Sequence, residues 1–160
     1  MELSELRPEH WKLWRELRLT ALSQDPEAYE SALRDWSGAG DTEERWRGRL
    51  TDVPFNAVLT EGGSPAGMVS VTAPDGDGLA ELISLWVPPH ARGRGAGDTA
   101  VRAALEWAGR QRGVHQVGLG VRPGNDRAVA LFARNGFTRA RVDEGGELRM
   151  TRPVRREAED

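Results

Sequence analysis

Residues 82–105, LISLWVPPHARGRGAGDTAVRAAL, join an apolar segment to an amphipathic one through a glycine-rich loop. The first segment is bulky and β-compatible, and Pro88 and Pro89 end the predicted strand because neither can donate to a ladder. The loop carries glycines that let the backbone approach a ligand closely: Gly93, Gly95 and Gly97. A helix is predicted to begin at Asp98 or Thr99. Since the first amides of a helix are unpaired and favour phosphate, the stretch predicts a strand, an anion-binding loop and a helix.

The spacing of the loop excludes two common phosphate-binding motifs. A P-loop needs Lys and then Ser or Thr after its last glycine, whereas the last glycine here is followed by Asp and Thr. A dinucleotide fingerprint that starts at Gly93 needs its third glycine at position 98, which is not glycine. The pattern that remains, Arg92-x-x-Gly95-x-Gly97, resembles the coenzyme A pyrophosphate loop of the GNAT superfamily of N-acetyltransferases.

A second signature of the same family follows one strand later. Its form is Asn-x-x-Ala-x-x-Leu-Tyr and then Gly-Phe, and the matching residues here are Asn125, Ala128, Leu131, Phe132, Gly136 and Phe137. Residues 116–121, QVGLGV, fit the strand between the two motifs. The resemblance therefore covers residues 79–137 in order. It has one departure, because Phe132 stands where the family usually has tyrosine.

The resemblance implies a fold and an activity. The expected fold is one α/β (α+β) domain over residues 1–154, with a mixed, mostly antiparallel sheet flanked by helices and splayed at the acetyl-CoA site. The expected activity is that of an acetyl-CoA-dependent N-acetyltransferase, which moves the acetyl group directly to a primary amine of a small molecule, peptide or protein. The alternative is a noncatalytic acyl-CoA-binding sensor or regulatory module, because the loop reports cofactor binding and not turnover.

Composition narrows the classes of function. With 160 residues, 38% of them hydrophobic, and no apolar run near ~18 residues, we expect one cytoplasmic domain that does not enter a membrane. The absence of cysteine excludes disulfides and an acyl-cysteine intermediate, which favours direct transfer. A net charge of −3 disfavours nucleic acid as a partner, and the three histidines, none at ligand spacing from another, predict no metal. A monomer and a homodimer both stay open.

Hydrophobic periodicity and turn residues predict the other elements. Before the central strand we expect a strand over residues 2–6, a helix after Pro8, short helices over residues 26–36 and 42–50, and strands over residues 55–61 and 66–73. After residue 121 we expect a helix that Gly136 ends, a hairpin of residues 139–143 and 147–152, and a disordered tail over residues 155–160.

The N-terminal third contains two features that bear on an acceptor site. Trp11 and Trp14 lie at helical spacing and are predicted to be core rather than the wall of an acceptor pocket. Residues 23–61 carry nine acidic side chains against four arginines. In GNAT proteins this region covers the acceptor side of the cleft, where acidic walls would attract a protonated amine. The alternative is an ordinary solvated face.

Glu81 stands near the start of the central strand, where a carboxylate is unfavourable unless it is solvated, paired or functional. In several GNAT enzymes a glutamate six residues before the last cofactor-contacting position of this strand is the general base toward the acceptor amine. Glu81 stands six residues before Val87, so the resemblance makes it the candidate catalytic base. The alternative is that Glu81 faces solvent or pairs with an arginine.

The resemblance also assigns the residues that hold the cofactor. The backbone of Leu85, Trp86 and Val87 is expected to pair with the pantetheine arm, and the amide of Val87 is the candidate catalytic oxyanion donor. The pyrophosphate is expected on residues 92–98, which are Arg92, Gly93, Arg94, Gly95, Ala96, Gly97 and Asp98. Arg92 and Arg94 are interpreted as phosphate contacts, the alternative being two solvated loop arginines.

Two residues of the second signature complete the predicted cofactor site. Asn125 is expected to contact the pantetheine amides, to cap the following helix, or both. Phe132 is expected to pack beside the pantetheine, but it cannot protonate the leaving thiolate as the family tyrosine would. The sequence has one tyrosine, Tyr29, which could act only if the acidic segment folds over the cleft. Because a thiol has a pKa of ~8.5, we expect water to suffice.

Overall fold

A computed structural model of the chain describes residues 1–24 and 32–154. The strands are β1 (Glu2–Glu5), β2 (Phe55–Glu61), β3 (Ser64–Val71), β4 (Leu79–Trp86), β5 (Gln116–Val121), β6 (Thr138–Val142) and β7 (Leu148–Pro153). The longer helices are α1 (Trp11–Gln24), α2 (Glu43–Asp52), α3 (Ala96–Gly109) and α4 (Asp126–Arg134). Short 3₁₀ turns form at Pro8–His10, Gly38–Gly40 and Pro89–Ala91, and residues 32–35 are helical.

These strands form a single sheet in the order β1-β2-β3-β4-β5-β7-β6. Neighbouring strands run antiparallel, except that β4 and β5 are parallel. A parallel pair needs a crossover, and α3 supplies it. The mixed, mostly antiparallel sheet with flanking helices is therefore confirmed.

The sheet opens between β4 and β5. The two strands pair only where Leu79–Glu81 lie beside Gln116–Gly118. On the other side of β4, Ser70 pairs with Ile83 and Met68 pairs with Trp86, so β4 carries one extra residue. Ser84 lies in this β-bulge with a φ of 56°. The bulge bends β4 away from β5 beyond Glu81, and the predicted splay is confirmed.

The core lies on both faces of the sheet, as the alternation along β2 shows. Ala57 and Leu59 face α3, where small residues such as Ala100 and Ala104 allow close packing. Val58 faces the opposite layer, formed by α1 and α2, in which Trp14 and Trp46 are fully buried. Trp11 packs against the same layer while half-buried, so the prediction that the α1 tryptophans belong to the core is confirmed.

Two predicted boundaries were wrong for reasons of glycine geometry. Helix α3 begins at Ala96 rather than at Asp98 or Thr99, because Gly95 caps it in a left-handed conformation with a φ of 82°. Strand β3 begins at Ser64, within the predicted turn, because Gly62 and Gly63 both take positive φ. Two such residues make a two-residue hairpin turn by themselves.

Several predictions fall partly or wholly outside the described residues. The predicted helix over residues 26–36 lies partly in residues 25–31, which the structure does not describe. Tyr29 is one of these residues. The disordered tail of residues 155–160 lies outside as well. Within the described ranges, no helix is long and apolar enough to cross a membrane.

Candidate active site

The opening between β4 and β5 is a cleft of about 380 Å³. Its walls come from β4, β5, α4 and β7, with Arg18 of α1 at one side. The residues predicted from sequence that line it are Glu81, Leu85, Asn125 and Phe132. It also holds Arg122, Glu147 and Arg149, which the sequence did not single out. The described lining of the cleft therefore carries both carboxylates and guanidinium groups.

Glu81 lies in this cleft on a fixed backbone. Its amide donates to the hydroxyl of Thr72 over 2.9 Å, and it sits opposite Gly118 at the last paired position of β4 and β5. Nη2 of Arg149 donates to Oε1 of Glu81 over 2.6 Å. The side chain of Glu81 is 40% exposed and that of Arg149 is 16% exposed. Glu81 thus pairs with an arginine and also faces the cleft, so its catalytic role stays a prediction.

A buried polar network lies behind the bulge of β4. Arg49 donates to Oδ1 of Asn56 over 2.8 Å and to the hydroxyls of Ser70 and Ser84 over 3.2 Å each. Burial lowers the pKa of Arg49 to about 10, and the charge of Arg18 acts in the same direction. The sequence signal for this network is weak. Arg49 stands three residues after Trp46 and so shares the buried side of α2.

The glycine loop borders a second cavity, of about 390 Å³, at the start of α3. Gly93 and Gly95 take positive φ, which other residues rarely adopt. Gly97 does not, but a Cβ added there would lie 3.2 Å from Cδ2 of Leu131. Gly97 therefore lets α3 pack closely on α4. Val87 and Leu131 also line this cavity, whereas Leu85 and Leu131 line the cleft. The two spaces are consequently neighbours along β4.

The two loop arginines contact other protein groups. Nε of Arg92 donates to the carbonyl oxygen of Val87 over 3.1 Å. Nη1 of Arg94 lies 3.6 Å from Oε2 of Glu61, and both of these side chains are exposed. Their predicted contacts with phosphate stay predictions.

Asp98 uses its side chain to join α3 to the end of α4. Two parallel hydrogen bonds of 2.9 Å come from Arg134, and a third of 2.9 Å comes from Asn135. The hydrogen bonds from Arg134 and then Asn135 lower the pKa of Asp98 to about 2. A cofactor contact predicted for Asp98 is therefore left to its backbone. Ala96, the other helical residue of the predicted set, is buried.

The second signature builds the two ends of α4. Oδ1 of Asn125 accepts a 3.2 Å hydrogen bond from the amide of Ala128, so its predicted capping role is confirmed. Gly136, with a φ of 89°, ends the helix, and the amide of Phe137 donates to the carbonyl of Phe132 over 3.0 Å. Phe132 packs edge-to-face on Phe137 with ring centroids 5.8 Å apart. The predicted helix stop at Gly136 is confirmed.

Trp86 turns its side chain toward the layer of α1 and α2. It packs against the cluster that contains Trp14 and Met68, and its Nε1 donates to Oε1 of Gln24 over 3.3 Å. Leu85 and Val87, its neighbours, pack against the core on the α3 side. The side chains of the three residues predicted to hold pantetheine thus point alternately to the α3 side and to the α1 and α2 side of the sheet.

The acidic segment, residues 23–61, does not form a wall of the cleft in the part that the structure describes. Four of its described carboxylates have arginine partners: Asp35 with Arg45, Asp41 with Arg15, Glu43 with Arg47, and Glu61 with Arg94. None of the described acidic residues of this segment lines the cleft. These residues favour the interpretation as a solvated face, and Asp25, Glu27 and Glu30 lie outside the described ranges.

A model of the acetyltransferase (GNAT) family matches residues 7–137, which contain the glycine loop, both sequence signatures and all of the cleft lining except Glu147 and Arg149. The chain belongs to the GNAT acetyltransferase family. An uncharacterized N-acetyltransferase of Methanocaldococcus jannaschii is 36% identical over 76 residues, which are 48% of this chain and 33% of that protein. The match thus spans about a third of the length of that relative.

Solved structures share the whole GNAT fold with this chain. The PaiA N-acetyltransferase of Thermoplasma acidophilum, solved in complex with coenzyme A, superposes with a TM-score of 0.74 at 16% identity, over 95% of this chain and 98% of that one. The aminoglycoside 6'-acetyltransferase type Ii superposes with a TM-score of 0.75 at 14% identity, over 99% of this chain and 100% of that one. At these identities the likeness concerns the fold.

Proposed function

We propose that this chain transfers an acetyl group from acetyl-CoA directly to a primary amine of a small molecule, peptide or protein. The observation that carries the proposal is that two spaces adjoin. Leu131 lines both the cleft between β4 and β5 and the cavity at the glycine loop, while Leu85 lines the cleft and Val87 lines the cavity. The complex of the Thermoplasma relative with coenzyme A supports this ligand for the fold.

Each part of the ligand has a matching set of residues. The loop of residues 92–98 and the first amides of α3 suit the pyrophosphate, since the amides at a helix start favour anions. Within residues 1–24 and 32–154, no strand pairs with the backbone of residues 85–87 on the β5 side, because the ladder of β4 with β5 ends at Glu81. This backbone can therefore pair with the amides of the pantetheine arm. Phe132 offers an apolar surface at the same place.

The chemistry requires few side chains. An alkyl ammonium with a pKa of ~10.4 must lose a proton before its nitrogen attacks the thioester carbonyl, and the carboxylate of Glu81 is the proposed acceptor of that proton. The amide of Val87 is the proposed donor to the oxyanion that forms. The chain has no cysteine to carry the acetyl group, which supports direct transfer.

A noncatalytic acyl-CoA-binding module is the second candidate function. It is favoured by Phe132, which lacks the acid of the family tyrosine, and by the ion pair that holds Glu81. Cytoplasmic location, the absence of a metal, and a monomeric or homodimeric state stay predictions from the sequence.

Release of the CoA thiol separates the two functions. The purified chain is incubated with acetyl-CoA and a panel of amino acids, polyamines, peptides and aminoglycosides, and free thiol is measured against an amine-free control. We expect amine-dependent release with at least one class of acceptor. Binding of acetyl-CoA without release for the whole panel would replace the proposal with the binding module.

A further inference from the structure

We propose that Arg149 is a positioning residue that orients Glu81 for proton transfer, an inference that rests on the proposed function. The 2.6 Å hydrogen bond from Nη2 of Arg149 fixes Oε1 of Glu81. Within the described residues, Oε2 of Glu81 makes no hydrogen bond to protein. The pair therefore holds one carboxylate oxygen and leaves the other to accept a proton in the cleft.

Arg149 reaches Glu81 across a whole strand. Glu81 lies opposite Gly118 of β5, and Gly118 lies opposite Thr151 of β7. Arg149 is two residues from Thr151 and opposite Gly120, so it projects from the same face of the sheet. Its side chain must pass over β5 to reach β4. No short-range feature of the sequence requires such a path.

Two glycines of β5 leave that path open. A Cβ at Gly120 would lie 3.2 Å from Nη1 of Arg149 and 2.5 Å from Oε2 of Glu147. A Cβ at Gly118 would lie 3.5 Å from Nη2 of Arg149. Glycine weakens a strand interior, and it is used where another group must approach the backbone. The alternation of glycine at positions 118 and 120 thus matches the course of the arginine.

The surroundings give the contact more weight than a surface ion pair. The side chain of Arg149 is only 16% exposed, and charge-assisted hydrogen bonds of this length are strong and directional. General-base catalysis depends on the position of the reacting carboxylate as well as on its presence, since a misplacement of about 1 Å can cost about 10²-fold in rate. Arg149 would therefore act on turnover and leave the cofactor cavity at the glycine loop, to which it does not contribute, unchanged.

A double-mutant cycle tests the proposal. Arg149→Met is expected to lower kcat about 10- to 100-fold while the Kd for acetyl-CoA stays within about threefold. Arg149→Lys is expected to recover part of kcat, because it restores a cation without the planar guanidinium. In the Glu81→Gln background neither substitution should lower kcat further. The control is Arg141→Met, which removes one positive charge from the exposed residue opposite Arg149 on β6 and should leave kcat unchanged.

Each contrary result has its own meaning. Unchanged kcat in Arg149→Met, or equal losses with and without the Glu81→Gln substitution, would overturn the positioning role while thiol release by the wild type upholds the proposed function. If Arg149→Met does not fold, the same cycle with Arg149→Lys decides. A loss of kcat confined to the chain that keeps Glu81 supports the proposal, and an equal loss in both backgrounds overturns it. Absence of amine-dependent thiol release by the wild type would overturn the proposed function and this inference together.

Discussion

Arg49 of α2 donates a 3.2 Å hydrogen bond to the hydroxyl of Ser84, the β4 residue whose φ is 56°. The contact ties the helical layer to the bulge at which β4 leaves β5. A positive φ is strained for serine and persists only where the surroundings hold it. We therefore expect the opening of the sheet to depend on Arg49, which does not line the cleft.

Arg49→Met is expected to lower the free energy of unfolding by about 1 to 3 kcal/mol, because Asn56, Ser70 and Ser84 lose a charged donor. It should also weaken acetyl-CoA binding through the bulge. Urea unfolding and calorimetry measure the two effects. Arg47→Met is the control, since Arg47 is exposed on the same helix and contacts Glu43 at 3.6 Å. Equal effects of the two substitutions would show that the network does not hold the bulge.

The two loop glycines should fail for different reasons. Gly95→Val forces a β-branched residue into a left-handed conformation, and Gly97→Val places a side chain against Leu131. Each should weaken acetyl-CoA binding at least about tenfold, or about 1.4 kcal/mol, by calorimetry. Gly48→Val is the control, because a Cβ at Gly48 meets nothing within 4 Å. Wild-type affinity in both loop variants, with the fold intact, would place the cofactor elsewhere.

Phe132→Tyr is expected to keep the Kd for acetyl-CoA within about threefold and to keep or raise kcat. The reason is that the CoA thiol has a pKa of ~8.5, so its thiolate leaves with little help from an acid. Steady-state kinetics with the acceptor identified from the amine panel measure this. Tyr29→Phe is the companion variant and should leave the chemical step unchanged. A loss of kcat of about a hundredfold in Tyr29→Phe, with binding retained, would make Tyr29 the acid.

Asp41 should make stability sensitive to acid. Hydrogen bonds from Arg15 and then Trp46 lower the pKa of Asp41 to about 2, from an ordinary value of 3.8. Because the pKa of Asp41 is lower in the folded state, its ionised carboxylate stabilises the folded protein. This contribution is fully present at pH values above the pKa of 3.8 in the unfolded chain, and it is lost as the pH falls from 3.8 toward 2. Asp41→Asn should therefore be less stable than wild type at about pH 6, with the difference shrinking toward about pH 2.5.

Urea unfolding midpoints across this pH range check the effect of Asp41→Asn. The exposed Asp52→Asn removes the same charge from the end of α2 and serves as the control. A difference between wild type and Asp41→Asn that stays constant with pH would contradict the assignment to the ionised carboxylate.

Local sequence signals predicted much of this structure. The glycines of the loop, the cap at Asn125 and the helix stop at Gly136 act on neighbouring residues, so their effects can be derived from spacing. The alternation of β2 likewise separates the two core layers. The start of α3 was missed because Gly95 serves as the cap by its left-handed backbone, without a side-chain oxygen.

The interior of the site depends on long-range pairing, which the sequence does not display. Arg149 meets Glu81 from 68 positions away, and only the register of three strands brings them together. Arg49 reaches Ser84 from 35 positions away, across two layers. An arginine in a helix is ordinarily expected at the surface, so its burial became visible only with the fold.

The most direct test of acetyl transfer is a single-turnover experiment with acetyl-labelled acetyl-CoA and an acceptor found in the amine panel. After rapid quenching, the label is measured in acetyl-CoA, in the protein and in the amine. Direct transfer predicts that label leaves acetyl-CoA and appears in the amine at the same rate, with none in the protein. Label that first accumulates on the protein, or label that stays in bound acetyl-CoA, would contradict the account.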